Sequence, residues 1–299
     1  LIPGIWFEID NVGCASDAWN QTEHLLRRNG SVLETSSRRF WNMTDPWVQE
    51  YLTERVIGTL KKYEFGYMKM DYNDTIGIGC DGAESLGEGL RRNMEESRRF
   101  IEKVKEELPG IVLENCASGG SKMEPMMMGL CSMASFSDAH ECPEIPVIAA
   151  SLHRAILPRQ SQIWAVIREN DSCRRIAYSI AAAFLGRMCL SGDVLNLSED
   201  QWKVIGEGIA FYREIAPAIR HGITEFFGTK QGSWRHLKGW QGILRMNGTE
   251  GFAVFHTFGG ELEEEPCVEL PEGYEFSVAG SFSDETPELE LRGRTLCWK

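Results

Sequence analysis

Three things are scarce in this chain. No apolar run approaches the roughly 20 residues that a membrane-spanning helix needs, so no such span is predicted. Basic residues are in the minority, with 31 Lys and Arg against 44 Asp and Glu and a net charge of −13. That balance disfavours polyanions: nucleic acid and anionic membrane surfaces are not expected as partners, and a neutral ligand fits better. Closely spaced cysteine pairs are also missing. The nine cysteines are scattered through apolar runs, without the spacing of a disulfide scaffold or of a zinc site. Cys80, Cys131, Cys142 and Cys189 therefore read as reduced, partly buried thiols in a reducing compartment such as the cytoplasm. No signal peptide opens the chain, and Leu1-Ile2-Pro3-Gly4-Ile5-Trp6-Phe7 reads as the middle of a strand, as if residues preceded it.

What is present suits a large core. A hydrophobic share of 42% with nine Trp and fourteen Phe, in 299 residues, fits one barrel with an appendage or most of a larger assembly. Strand-like and helix-like runs alternate from Ile5-Trp6-Phe7-Glu8 onward. Asp45-Pro46 opens a helix of amphipathic spacing through Val48, Tyr51, Leu52, Val56 and Leu60, with Asp45 as N-cap. A long charged helix follows from about Ala83 to Leu108, with Leu90, Met94, Phe100, Ile101 and Val104 inward, stopped by Pro109-Gly110. Six strand–helix units open near Ile2, Gly66, Ile111, Met133, Gln162 and Met188, the alternation of parallel βαβ units. After Gly222 the texture changes to short β-like runs, Gly242 to Arg245, Gly251 to Phe258, Pro266 to Leu270, Tyr274 to Ala279 and Glu288 to Leu291, between Gly, Asn and Pro turns. The fold class expected is α/β: a (β/α) barrel over residues 1–222, then a small antiparallel β domain, a β-sandwich, over 223–299.

The centre of the barrel segment is Tyr67-Met68-Lys69-Met70-Asp71-Tyr72-Asn73, an apolar run that ends in a cation, a carboxylate and an amide. The glycines at 77, 79 and 82 make the following stretch a loop, so Lys69 and Asp71 fall at a strand's C-terminal end, where parallel barrels place their chemistry. Residues two apart share a face of a strand, and a cation beside a carboxylate favours its ionised form. A purely structural ion pair would look the same in sequence.

Asp138 closes another strand, Met133-Ala134-Ser135-Phe136-Ser137-Asp138. Alone it reads as a helix cap or a surface acid rather than a catalytic group. Together with Asp71 it supplies the two carboxylates of glycoside hydrolysis, one attacking or activating and one donating a proton. Between them lies the turn Glu114-Asn115-Cys116-Ala117-Ser118-Gly119-Gly120, where backbone N–H groups can approach a ligand; its spacing is not that of a phosphate loop. Cys116 lacks an evident His partner and reads as a small packed or ligand-touching residue rather than a nucleophile. His140, Glu141 and Cys142 are adjacent, which is poor metal geometry, and neither metal nor cofactor is expected. Trp6, at the end of the first strand, is core or a sugar platform; Trp234, Trp240, Phe252 and Phe255 read as core.

Pro3-Gly4-Ile5-Trp6-Phe7-Glu8, the Lys69-to-Asn73 run, Glu114 to Gly120 and Ser137-Asp138 together resemble, in order, the motifs of glycoside hydrolase family 36. That resemblance covers about residues 1 to 220. It implies a retaining α-galactosidase on a (β/α)8 barrel, entered here at the third strand, which would account for a count of six. It further implies Asp71 as nucleophile and Asp138 as acid/base, with Lys69, Cys116 and Gly119 on the galactose hydroxyls and Trp6 lining the pocket. The family's acidic pair for the 4- and 6-hydroxyls would lie on an earlier strand. Its arginine from the preceding loop corresponds to Arg38 or Arg39.

Two departures bear on the substrate: Ala139-His140-Glu141 follows Ser137-Asp138, and Gly119-Gly120-Ser121-Lys122 stands where the family has Gly-Gly-Gly-Arg. Both fall near the sugar's 2-position or the leaving group. An α-N-acetylgalactosaminidase, a galactosyl-transferring enzyme of the raffinose-synthase kind, and an inactive carbohydrate-binding fragment are the alternatives. A homo-oligomer is compatible with all of them.

Overall fold

The structure, a computed structural model, describes residues 1–138, 143–283 and 288–299. The chain divides into two compact units, Leu1–Ser137 and Asp138–Lys299.

The first unit runs β1 (Gly4–Phe7), β2 (Asn11–Gly13), β3 (Arg27–Arg28), β4 (Ser31–Val32), β5 (Arg38–Phe40), α1 (Pro46–Leu52), α2 (Gly58–Lys62), β6 (Tyr67–Met70), α3 (Leu86–Glu107), β7 (Val112–Asn115), α4 (Pro125–Leu130) and β8 (Met133–Ser135). Strands β1, β6, β7 and β8 are parallel neighbours in that order. Their registers put Trp6 beside Lys69 and Lys69 beside Glu114. Alternation then sorts the side chains: Met68, Met70 and Leu113 turn one way, into a core with Phe100, Ile101 and Val104 of α3, while Tyr67, Lys69 and Glu114 turn the other. Asp45 caps α1, its Oδ1 accepting from the Trp47 amide at 2.9 Å, and Pro46 takes the first helical position. A π-helical turn over Thr53–Ile57 joins α1 to α2.

Helix α3 is shorter at its N-terminus than the charge pattern predicts, because Ser85 caps it by accepting from the Glu88 amide. Its buried stripe is also more polar. Leu90 and Met94 are half-buried, and the buried positions of its first half are Gly89, Asn93 and Ser97. Asn93 Oδ1 accepts the Met43 amide at 2.7 Å, and Ser97 Oγ donates to Asp10 at 3.2 Å. These polar residues sit inside because each has a partner there.

The second unit carries α5 (Ile145–Leu152), β9 (Ser161–Ile167), α6 (Cys173–Ala183), β10 (Arg187–Gly192) and α7 (Glu199–His221). Strands β9 and β10 are parallel over six residue pairs, α6 packs on β9, and Ile176 and Ile180 of α6 are fully buried. Then come β11 (Ile223–Gly228), β12 (Gly239–Asn247), β13 (Glu250–Phe258), β14 (Cys267–Glu269), β15 (Leu289–Arg292) and β16 (Thr295–Trp298). They form two antiparallel sheets, β11-β12-β13 and β14-β16-β15. Trp240 and Phe252 are buried here, whereas Trp234 is substantially exposed. Tyr274 to Ala279, expected as a strand, has no ladder partner among the described residues and runs as irregular backbone, while β11 and β16 escape the sequence reading.

The expectation of reduced thiols needs correcting at one place. Cys267 and Cys297 are register partners on β14 and β16 and are joined by a disulfide, although 30 residues separate them. Antiparallel pairing brings together what sequence spacing holds apart. Cys14, Cys80, Cys116 and Cys173 are free thiols. No helix among the described residues is long and apolar enough to cross a membrane.

Candidate active site

Asp71 is the first residue beyond β6. Its amide still donates to the Phe7 carbonyl at 2.9 Å, and the Cys116 amide donates to Met70 at 2.9 Å, so the ladder carries one step past the strands. This puts Asp71 and Cys116 at the C-terminal edge of the parallel strands of the first unit.

The Asp71 carboxylate is gripped at both oxygens. Oδ1 accepts from the Tyr72 amide at 2.9 Å and from the Ser118 amide at 3.3 Å; Oδ2 accepts from the Trp6 indole Nε1 at 3.3 Å. Burial pushes this carboxyl up, but the Ser118 and Tyr72 amides, the Cys116 thiol and the Trp6 indole together outweigh it and hold it below the ordinary Asp range. Asp71 is thus a buried group kept ionised by hydrogen bonds. Sequence reasoning placed that task on Lys69. The Lys69 ammonium instead forms an ion pair with Glu114 Oε1 at 3.0 Å and lies 3.4 Å from Ser135 Oγ.

The turn after β7 explains why amides can reach the carboxylate. Ser118 and Gly119 adopt left-handed φ values of 45° and 85°, and the Ala117 amide donates to the Gly119 carbonyl at 2.9 Å. A Cβ on Gly119 would lie 3.1 Å from Ser137 Cα and 3.2 Å from the Phe136 carbonyl oxygen, so glycine is required by both conformation and space. Burial pushes the Cys116 thiol up to about 11, which keeps it protonated at neutral pH, as a hydrogen-bond donor rather than a nucleophile.

A second layer was not legible in sequence. Glu8 accepts from Arg38 Nε at 2.7 Å and Nη2 at 2.8 Å, and from Asn73 Nδ2 at 2.7 Å. Ser118 Oγ then donates to Asn73 Oδ1 at 3.1 Å, which links Arg38 through Glu8 and Asn73 to the turn that holds Asp71. The Arg38 guanidinium holds the Glu8 carboxyl below its usual range. Arg39 turns elsewhere, to Glu34 and the Trp19 carbonyl. Of the two arginines, Arg38 belongs to this cluster.

Trp6, Lys69, Asp71, Cys116 and Gly119 are therefore gathered at one edge of the first unit. Trp6 is about half exposed, at 49%, so it is no core residue. Asp138 is an exposed residue that opens the second unit. His140, Glu141 and Cys142 lie outside the described residues.

A family model described as Melibiase matches residues 1–222. The α-galactosidase AgaA of Geobacillus stearothermophilus is 22% identical over 243 residues, which cover 73% of this chain and 31% of that protein. The probable α-galactosidase G of Emericella nidulans is 25% identical over 231 residues, 73% of this chain and 30% of that protein. Among solved structures, the GH36 α-galactosidase AgaA in complex with 1-deoxygalactonojirimycin superposes with a TM-score of 0.78 at 17% identity, over 92% of this chain and 39% of that one. Variants of AgaA have also been solved with raffinose and stachyose. This chain thus spans about a third of the length of these curated relatives, and its fold is theirs: parallel barrel strands followed by a β domain. With most of its length matched by the family model, the chain belongs to the Melibiase family, among the α-galactosidase-like proteins of glycoside hydrolase family 36.

Proposed function

We propose that this chain carries the machinery of a retaining glycoside hydrolase acting on terminal α-galactosides, with Asp71 as nucleophile and Asp138 as acid/base. The observation that carries the reading is the state of Asp71: a buried carboxylate at a parallel strand end, kept anionic by two amides, a thiol and an indole.

Oδ1 is held by two amides, which leaves Oδ2, beside the Trp6 indole, as the attacking oxygen. It forms a bond to the anomeric carbon as the bond to the leaving oxygen breaks, and Asp138 gives that oxygen its proton. A water then loses a proton to Asp138 and displaces Asp71, so two inversions restore the configuration. Trp6 offers its half-exposed ring as a platform for the sugar. Lys69, Cys116 and Gly119 meet its hydroxyls. Galactose-bearing oligosaccharides such as the raffinose and stachyose bound to AgaA variants are the natural candidates for substrate.

The test is hydrolysis of p-nitrophenyl α-galactoside and its 2-acetamido analogue by the wild type and by Asp71→Ala with added azide. Loss of turnover in the variant, restored by azide as a β-galactosyl azide, is the expected result, and the faster substrate names the sugar. The alternative reading is a chain that binds galactose without turning it over. A folded wild type that hydrolyses neither substrate would leave that reading standing alone.

A further inference from the structure

Glu114 is 1% exposed, in the middle of a strand whose neighbour Leu113 packs into the hydrophobic core. A buried carboxylate is costly unless charge and hydrogen bonds compensate it, and well-packed apolar side chains often replace such groups without loss of stability. Strand pairing does not need it. Its surroundings show what it serves.

Tyr67, Ser135 and Lys69 converge on Glu114. The Tyr67 hydroxyl donates to Oε2, the Ser135 hydroxyl donates to Oε1, and the Lys69 ammonium lies 3.0 Å from Oε1. They come from β6 and β8, on either side of β7, so the carboxylate is clamped from both flanks and at both oxygens. Lys69 is its direct register partner, and on the far side of Lys69 the register partner is Trp6. The Lys69 charge is felt at Cys116, whose thiol it draws down, and Cys116 in turn bonds Asp71. A clamped carboxyl group therefore stands behind Lys69 in the register row that runs from Trp6 through Lys69 to Glu114.

From this geometry we infer that Glu114 is a positioning residue that acts through Lys69. Clamped by Tyr67 and Ser135, it holds the ammonium in a single place, so that Lys69 presents fixed donors to a sugar hydroxyl. The inference rests on the reading of this edge as a galactoside site. Binding energy of this kind is available before and during reaction alike, so its loss weakens KM more than kcat.

The experiment measures galactose binding to the full chain by titration calorimetry, for the wild type, Glu114→Gln, Lys69→Met, the double variant and Ser135→Ala. Both single changes at Glu114 and Lys69 are expected to weaken galactose by about tenfold or more. The double variant is expected to bind no more weakly than Lys69→Met, since Glu114 then has nothing left to position. With p-nitrophenyl α-galactoside, Glu114→Gln is expected to raise KM by a larger factor than it lowers kcat. Losses that multiply in the double variant, or wild-type affinity in a folded Glu114→Gln, overturn the proposal. If Glu114→Gln does not fold, Ser135→Ala decides: a loss of about threefold supports the clamp and unchanged affinity overturns it. No galactose binding by the wild type, or full binding by Lys69→Met, overturns the galactoside site itself, and the role of Glu114 with it.

Discussion

Trp6 donates its indole N–H to Asp71 across the parallel pair β1 and β6, with Nε1 and Oδ2 3.3 Å apart although the two residues stand 65 positions apart in the chain. The same ring is about half exposed. One side chain thus offers a face to solvent and a hydrogen bond to the carboxylate, which ties the proposed sugar platform to the state of the proposed nucleophile.

Replacing that donor separates the two roles. Trp6→Phe keeps an aromatic face but removes one of the bonds that lower Asp71, so the carboxyl rises toward its ordinary value. The acid limb of kcat/KM for p-nitrophenyl α-galactoside is expected to move to higher pH, and the plateau to fall about tenfold. A pH–rate profile checks both; an unmoved acid limb would show that the indole does not tune Asp71.

Gly119→Ala places a methyl group against backbone atoms of Ser137 and Phe136 at a φ of 85°. The cost is expected to be about 1–3 kcal/mol of stability, with a loss of activity as the Ser118 amide is pulled off Asp71. Urea denaturation and turnover measured on the same sample test this together.

The Cys267–Cys297 bond closes a loop of 30 residues in the second unit. Restricting the unfolded chain to that extent is worth about 3–4 kcal/mol in the loop-entropy account. The Cys267→Ala/Cys297→Ala variant is expected to unfold at lower denaturant than the oxidised wild type, and added reductant should abolish the difference.

Two histidines make the second unit sensitive to acid. Burial holds His256 down at about 4, and it does the same to His153, whose ring nitrogens bond the Leu185 carbonyl and Thr224. In the unfolded chain both titrate near 6.5. Between these values the unfolded state binds protons that the folded state refuses, so stability is full above pH 6.5 and falls as pH drops toward 4, by about 1.4 kcal/mol per unit for each ring. His256→Phe, which keeps an aromatic beside Tyr178, is expected to flatten that slope when urea midpoints are compared at pH 7 and 4.5.

Much of the fold is legible along the chain because its signals are local. The spacing of Val48, Leu52, Val56 and Leu60 marks a helix, and Asp45-Pro46 marks its start, since capping and amphipathicity act within a few residues. The failures are equally physical. Asn93 and Ser97 break the apolar stripe of α3 and are buried, because their partners are the Met43 amide and Asp10 from distant segments. Tyr274 to Ala279 carries the composition of a strand but finds no neighbour to pair with among the described residues, and a strand without a ladder is not one.

The candidate site divides in the same way. Strand ends, a glycine turn and two carboxylates are features of short stretches, and together with the family motifs they single out Asp71 and Asp138 as candidates. Pairing is another matter: whether Lys69 answers to Glu114, whether Arg38 or Arg39 joins Glu8, and whether Cys267 meets Cys297 depend on sheet register and loop path. The sequence by itself determined the alternation of strands and helices, the positions where strands end and the motifs that place the chain in its family, because each is written in residues a few places apart. Only the tertiary structure decided which donors hold Asp71 ionised and which partner fixes Lys69. Those interactions join residues tens of positions apart, and parallel strands bring them together through hydrogen-bond register that no local periodicity encodes.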